Sequence, residues 1–302
     1  MDTTTQSRGV LSALSNQMAD AVERTGASLV TVHGRARQSA SGIVYAQDLV
    51  LTADHVLERE EDLTIQTPDG RTLPAQFAGR DPSSDLAILR VPDLNLDPAS
   101  KSAEPRVGQM VLAVGRPSSE GPMASIGIVS SVGGPVRTGR GGMLERYIRT
   151  DATPYPGFSG GPLIDADGAV VGVTTTGLVG GVALAIPASV AWRVADALSR
   201  HGSIKRGFLG ISSQPVRLPE SQRGGHDQER GLLIVRVEEG SPAQQSGLLL
   251  GDILVTFDGQ KITDTDDLQP LLSGDRVGKA LTAEVIRGGE LKTLQVTVGE
   301  RN

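Results

Sequence analysis

Cysteine is absent from the 302 residues, so neither a disulfide framework nor a thiolate metal site can hold this chain together. That absence does not separate an oxidising compartment from a reducing one. Aromatic residues are scarce, 3% of the whole, and the core must therefore be built from aliphatic side chains. Long apolar runs are also missing: nowhere does the chain offer the ~18 consecutive apolar residues of a membrane-spanning helix. Its opening, MDTTTQSRGVLSALSNQMADAVERTG, has neither a basic leader nor an unbroken apolar stretch. As written, the expected location is cytoplasmic, becoming periplasmic or secreted if the N-terminus has been trimmed. Basic charge is not in excess either. A net charge of -6 leaves no electrostatic footprint for a phosphate backbone, which argues against nucleic acid as a partner.

What is present is turn-forming material, 38 glycines and 17 prolines, which suits many short strands. The length calls for a large unit and a smaller one. Residues 1–26 carry a helical pattern, with Leu11, Leu14, Met18 and Val22 on one face and Gly26 as a stop, and read as a packing helix. From Ser28 the period shortens to apolar or alternating runs: LVTV, SGIVY, LVLT, LTIQT, LPAQFAG and LAILRV. After a polar stretch the pattern resumes in MVLAVG, MASIGIVSSV, YIRT, PLIDADGAVVGVTT and VALAIP, so two similar β units are expected side by side. PASVAWRVADALSRH, with Pro187 at its start and Gly202 after its end, predicts an amphipathic helix closing this domain over 27–201. Trp192 lies on its apolar face. A second domain over 205–300 follows an exposed polar excursion.

Three segments carry chemistry: LTADHV around His55, DPSSDLAILRV around Asp85 and ATPYPGFSGGPL around Ser159. A serine hydroxyl is a poor nucleophile until an imidazole takes its proton, and that imidazole needs a carboxylate to fix its tautomer. His55, Asp85 and Ser159 are expected as that triad. The Gly-rich turn would supply the counterpart, an oxyanion hole from the N–H groups of Gly157, Phe158 and Ser159. Asp165-Ala-Asp167-Gly168 resembles a calcium loop but lacks the remaining ligands, so a hairpin turn is expected there. The chemistry calls for no metal and no cofactor. GGPVRTGRGGMLER reads as a solvated loop, and His33, His201 and His226 receive no role.

With VGVTT and ALAIP after the serine, these segments resemble the chymotrypsin-like proteases, specifically the HtrA/Deg branch, over roughly residues 27 to 300. The resemblance implies a mainly β fold, a double β-barrel protease domain followed by a PDZ domain. The main departure is Phe158, where the family usually has Asn. Resemblance also places the primary pocket around Thr153 to Tyr155, Gly172 to Thr175, with Thr174 and Thr175 in the wall, and the loop Gly177 to Val182. No acidic residue stands six positions before the serine, so a small or medium apolar side chain is the expected specificity.

RGFLGI, GLLIVRV, EGSPAQQSGLLLGDIL and FDGQKI look like the PDZ domain appended to such proteases. There an extended peptide adds as a strand, and Phe208, Leu209, Gly210 and Ile211 fit the receiving turn and strand. A helix over Leu268 to Ser273, started near Asp266 so that Pro270 falls in its first turn, should form the other wall. The function implied is endoproteolysis of unfolded or misfolded polypeptides, with the PDZ domain reading peptide C-termini or regulating the site. A catalytically silent, chaperone-like peptide binder using the same cleft is the alternative, and a scaffold resting on the PDZ domain alone is the third. The family's core unit is a homotrimer built through the N-terminal region, although no aromatic residue precedes Tyr45 to anchor one.

Overall fold

The structure is a computed structural model that describes residues 3–301 apart from 140–142, 180–181, 204–205, 224, 226–227 and 273–275. It divides into two compact units, Met1–Ile204 and Lys205–Asn302. The first begins with helix α1 (Thr3–Gly26), followed by β1 (Leu29–His33), β2 (Ala40–Ala46), β3 (Leu49–Ala53), β4 (Leu63–Gln66), β5 (Thr72–Asp81) and β6 (Leu86–Arg90). These six strands close into a barrel in the order β1-β2-β3-β6-β5-β4. Next come β7 (Met110–Gly115), β8 (Met123–Gly133), β9 (Val136–Arg137), β10 (Met143–Leu144), β11 (Tyr147–Thr150), β12 (Pro162–Ile164), β13 (Val170–Val179) and β14 (Val182–Pro187). A second barrel closes as β11-β14-β13-β12-β7-β8, while β9 and β10 form a separate ribbon. The stretch expected to be a solvated loop therefore carries a short ladder, with residues 140–142 outside the described residues.

The apolar runs are nearly continuous because both faces of these strands are covered. Val30, Val44, Val50 and Leu89 fill the first barrel. Their neighbours Leu29, Ile43, Leu51 and Ile88 point the other way and meet Leu112, Val114, Ile164 and Ile186 of the second barrel in one seam. Helix α2 (Ala188–His201) seals it with Ala191, Ala195 and Leu198, and ends at Gly202 in the left-handed region, φ 74°. Trp192 meets Tyr45 edge-on, ring centroids 6.4 Å apart. Helix α1 packs over half its length only: Ala21 is buried and Met18 and Val22 partly so, whereas Val10 and Leu11 are exposed. Periodicity identified the face but not how much of it finds a partner.

The second unit holds β15 (Arg206–Phe208), β16 (Ile211–Arg217), β17 (Arg230–Val237), α3 (Pro242–Gln245), β18 (Ile253–Phe257), β19 (Gln260–Lys261), α4 (Thr265–Leu268), β20 (Ala280–Arg287), β21 (Glu290–Thr297) and β22 (Gly299–Arg301). Its sheet runs β16-β17-β18-β20-β21, with β19 beside β18 and β15 paired with β22. β16 lies at the end of that order and contains Pro215, which an edge strand tolerates. The helical wall differs from expectation. It starts at Thr265, where Asp264 Oδ1 accepts the Asp267 N–H at 3.0 Å and Asp267 Oδ2 accepts the Thr263 N–H at 2.8 Å. It turns 3-10 over Gln269–Leu272, because Pro270 has no N–H to give the carbonyl four residues back. Ser273 lies outside the described residues.

Candidate active site

His55 sits in a single 3-10 turn, Asp54–Val56, directly after β3. Asp85 precedes β6 and adopts φ 55°, a left-handed backbone that an aspartate enters at a cost of ~1–2 kcal/mol. The turn before it is braced by Asp81, whose carboxylate accepts the N–H groups of Ser83 and Ser84 at 3.3 and 3.2 Å. This brings the Asp85 carboxylate, fully buried, against His55 twice over. Oδ2 lies 2.6 Å from His55 Nδ1, and Oδ1 accepts the His55 backbone N–H at 2.9 Å. Thr175 Oγ1 also donates to Asp85 Oδ2. A carboxylate so placed fixes the orientation of the imidazole through Nδ1, which leaves Nε2 as the ring nitrogen not engaged by Asp85.

Ser159 lies in the turn between β11 and β12, brought to the seam from the second barrel. Its hydroxyl meets Thr176 Oγ1 at 3.3 Å, and a His55–Ser159 bond is not among those formed between the described residues. The oxyanion turn departs from expectation at one amide. Phe158 donates its N–H to Tyr155 O at 3.0 Å, closing the turn, so it is not aimed at a substrate. The N–H groups of Gly157 and Ser159 are given to no described residue. The Phe158 ring is fully buried among Val111, Ala113, Val129 and Leu163 in the second barrel's core.

The threonines named as pocket wall face inward. Thr174 Oγ1 donates to the carbonyls of Phe158 and Gly161 at 2.9 and 2.8 Å, and Thr175 holds Asp85. Both hydroxyls are thereby engaged within the protein. Thr153 is exposed and its carbonyl accepts Ser125 Oγ at 2.5 Å. Of the loop Gly177 to Val182, residues 180–181 lie outside the described residues. Asp165 is occupied as a turn residue, taking the N–H groups of Asp167 and Ala169 on Oδ1 and Ser102 Oγ on Oδ2. His33 pairs with Ser39 Oγ at 2.9 Å and burial holds its imidazole below the ordinary value. His226 lies outside the described residues.

Sequence reasoning missed the closeness of Gly177. A Cβ built there would lie 2.6 Å from His55 Nδ1 and 2.7 Å from Asp85 Oδ2, so the peptide of β13 covers the pair like a lid with no room to spare. Gly177→Ala is expected to part the two groups and lower kcat about 10²-fold, the scale of a 1 Å misplacement. Steady-state kinetics beside a thermal melt checks this, since a stability effect alone would shift the melt and spare kcat.

In the second unit Leu209 is a core residue, 2% exposed, so its side chain does not line a groove. Its carbonyl accepts the Ala243 N–H and that of Gly210 the Glu238 N–H, both at 2.8 Å. Phe208 and Ile211 are half-buried at either side, and β16 presents its outer edge.

Two barrels meeting at a His–Asp–Ser constellation, followed by a smaller β unit, define the class of trypsin-like peptidases carrying a PDZ domain. The family described as "Trypsin-like peptidase domain" matches residues 40–173 and "PDZ domain" matches 207–298. A "Probable periplasmic serine endoprotease DegP-like" of Halomonas elongata is 35% identical over 277 residues, 89% of this chain and 58% of that protein. The chain thus spans little more than half the length of the curated relatives it matches. Among solved structures, "HtrA-type protease AlgW with tripeptide" superposes with a TM-score of 0.78 at 31% identity, covering 94% of this chain and 97% of that one. The serine endoprotease from Yersinia pestis gives a TM-score of 0.77 at 28% identity, covering 95% and 98%. The chain belongs to the HtrA-type serine proteases. Its relative's name includes the periplasm, which lends nothing to the cytoplasmic expectation, and among the described residues no helix is long and apolar enough to cross a membrane.

Proposed function

We propose that this chain hydrolyses peptide bonds of unfolded or misfolded polypeptides through an acyl-enzyme on Ser159. The observation that carries this reading is His55 held 2.6 Å from the buried Asp85 carboxylate, together with a serine whose turn keeps two amides free. His55 Nε2 takes the Ser159 proton as Oγ attacks the carbonyl, and Asp85 stabilises the imidazolium. The oxygen's negative charge falls to the N–H groups of Gly157 and Ser159. Collapse expels the amine with the proton from His55, and water repeats the sequence to free Ser159. The hydroxyl must leave Thr176 and turn to His55 for the first step, a side-chain rotation.

The backbone of Thr153 to Tyr155 and of Thr174 to Gly177 would border the cleaved residue. With no acidic partner read at Thr153, a small or medium apolar side chain fits best. In the second unit the open edge of β16 would take a peptide C-terminus as an added strand, its carboxylate at the Phe208–Gly210 turn. A periplasmic setting and a homotrimer are proposed on family grounds.

A fluorophosphonate probe tests the chemistry, with casein as the unfolded substrate. Wild type is expected to label once per chain and to degrade casein, and Ser159→Ala to do neither. Failure of wild type to label with an activating peptide present would overturn the reading in favour of a silent binder.

A further inference from the structure

The nucleophile turn belongs to the second barrel, whereas the base and its carboxylate belong to the first. Their alignment therefore depends on what ties one barrel to the other beneath Ser159. Ser41, in β2 of the first barrel, lies there with none of its surface exposed. Its hydroxyl donates to the Gly157 carbonyl at 2.7 Å and accepts the Arg116 N–H at 2.8 Å. Its own N–H donates to the Ser159 carbonyl at 3.2 Å, and its carbonyl accepts Thr52 Oγ1 at 2.8 Å. Every polar group of Ser41 is thus engaged, two of them on the residues that flank Phe158.

Those two residues are the ones whose amides stay free for an oxyanion. A carbonyl held on one side of a residue restrains the peptide plane next to it, because each plane is rigid and only φ and ψ turn. Pinning the Gly157 and Ser159 carbonyls limits how far the turn can rotate without breaking a buried bond, which costs more than an exposed one. Arg116 extends the tie: its carbonyl accepts Thr31 Oγ1 at 2.9 Å, again across the barrels.

We propose that Ser41 is a positioning residue that holds the oxyanion turn in register with the first barrel's His–Asp pair. This rests on Ser159 being the nucleophile. A peptide boronate, whose adduct on Ser159 places an oxygen where the oxyanion forms, reads the effect directly. Ser41→Ala is expected to weaken boronate inhibition and lower kcat by about 10²-fold, while KM stays within about two-fold. Ser41→Cys, which keeps a weak donor of similar shape, is expected to recover part of both losses.

A merely structural role would instead lower the folded fraction and spare the boronate affinity of the folded remainder, which circular dichroism at the assay temperature separates. If Ser41→Ala does not fold, Ser41→Cys carries the same comparison with a smaller loss. Wild-type kcat and boronate affinity in the folded variant would overturn the proposal, leaving Ser159 as nucleophile intact. Failure of the wild type itself to take fluorophosphonate or boronate would instead strike the reading beneath it.

Discussion

Asp85→Asn is expected to lower kcat about 10⁴-fold with little change in KM, a barrier increase of ~5.5 kcal/mol. The carboxylate accepts three hydrogen bonds, from His55 Nδ1, the His55 amide and Thr175 Oγ1. An asparagine can present its oxygen to the backbone amide only by turning its NH₂ toward the imidazole and Thr175. Nδ1 must then become an acceptor, the ring proton moves to Nε2, and the imidazole can no longer take a proton from Ser159. Because the amide matches the carboxylate in shape, the thermal melt should move far less than the rate. A loss below about ten-fold would mean that His55 draws its basicity from elsewhere, and the triad as assigned would fall.

Phe158→Ala is expected to cost ~3–5 kcal/mol of stability, the scale for emptying a fully buried aromatic site. The ring has no exposed surface, meets Tyr155 edge-on with centroids 5.4 Å apart, and lies over Gly115. A Cβ at Gly115 would stand 2.5 Å from the ring, so glycine and phenylalanine fit as a pair. Urea unfolding of the isolated protein measures the loss, and a shift of the midpoint at constant slope is the expected form. A change under about 1 kcal/mol would show that the turn is held by its hydrogen bonds alone. Gly115→Ala should cost roughly 1–3 kcal/mol, the scale of forcing an extra carbon against a ring that has no exposed surface.

The resemblance rested on what is local. The three segments, their order and the glycines around Ser159 stand in the chain as short words, and the apolar runs between turns read directly as strands. What escaped is what depends on distant partners. Gly177 looks like one more loop glycine until β13 folds across His55 and Asp85. Phe158 reads as an oxyanion donor because its amide adjoins two others, and only the folded turn shows that Tyr155 has taken it. Thr174 and Thr175 sit where a pocket wall was expected, yet on opposite faces of β13 one hydroxyl is taken by the Phe158 and Gly161 carbonyls and the other by Asp85. The left-handed backbone of Asp85 has no signature in DPSSD beyond a tolerance that aspartate shares with asparagine. Helix α1 is the simplest case: its stripe was plain, but exposure of Leu11 depends on where the barrels stop.

Pro215 gives the terminal strand β16 a second property. Proline brings no amide hydrogen, so the outward row of donors along that strand is interrupted partway. Two copies meeting sideways would need an unbroken row to fuse their sheets into a continuous ribbon, and here the seam would fail within a few residues. The same interruption leaves only Ile211 to Gln214 ahead of it, a stretch too short to seed a fibre.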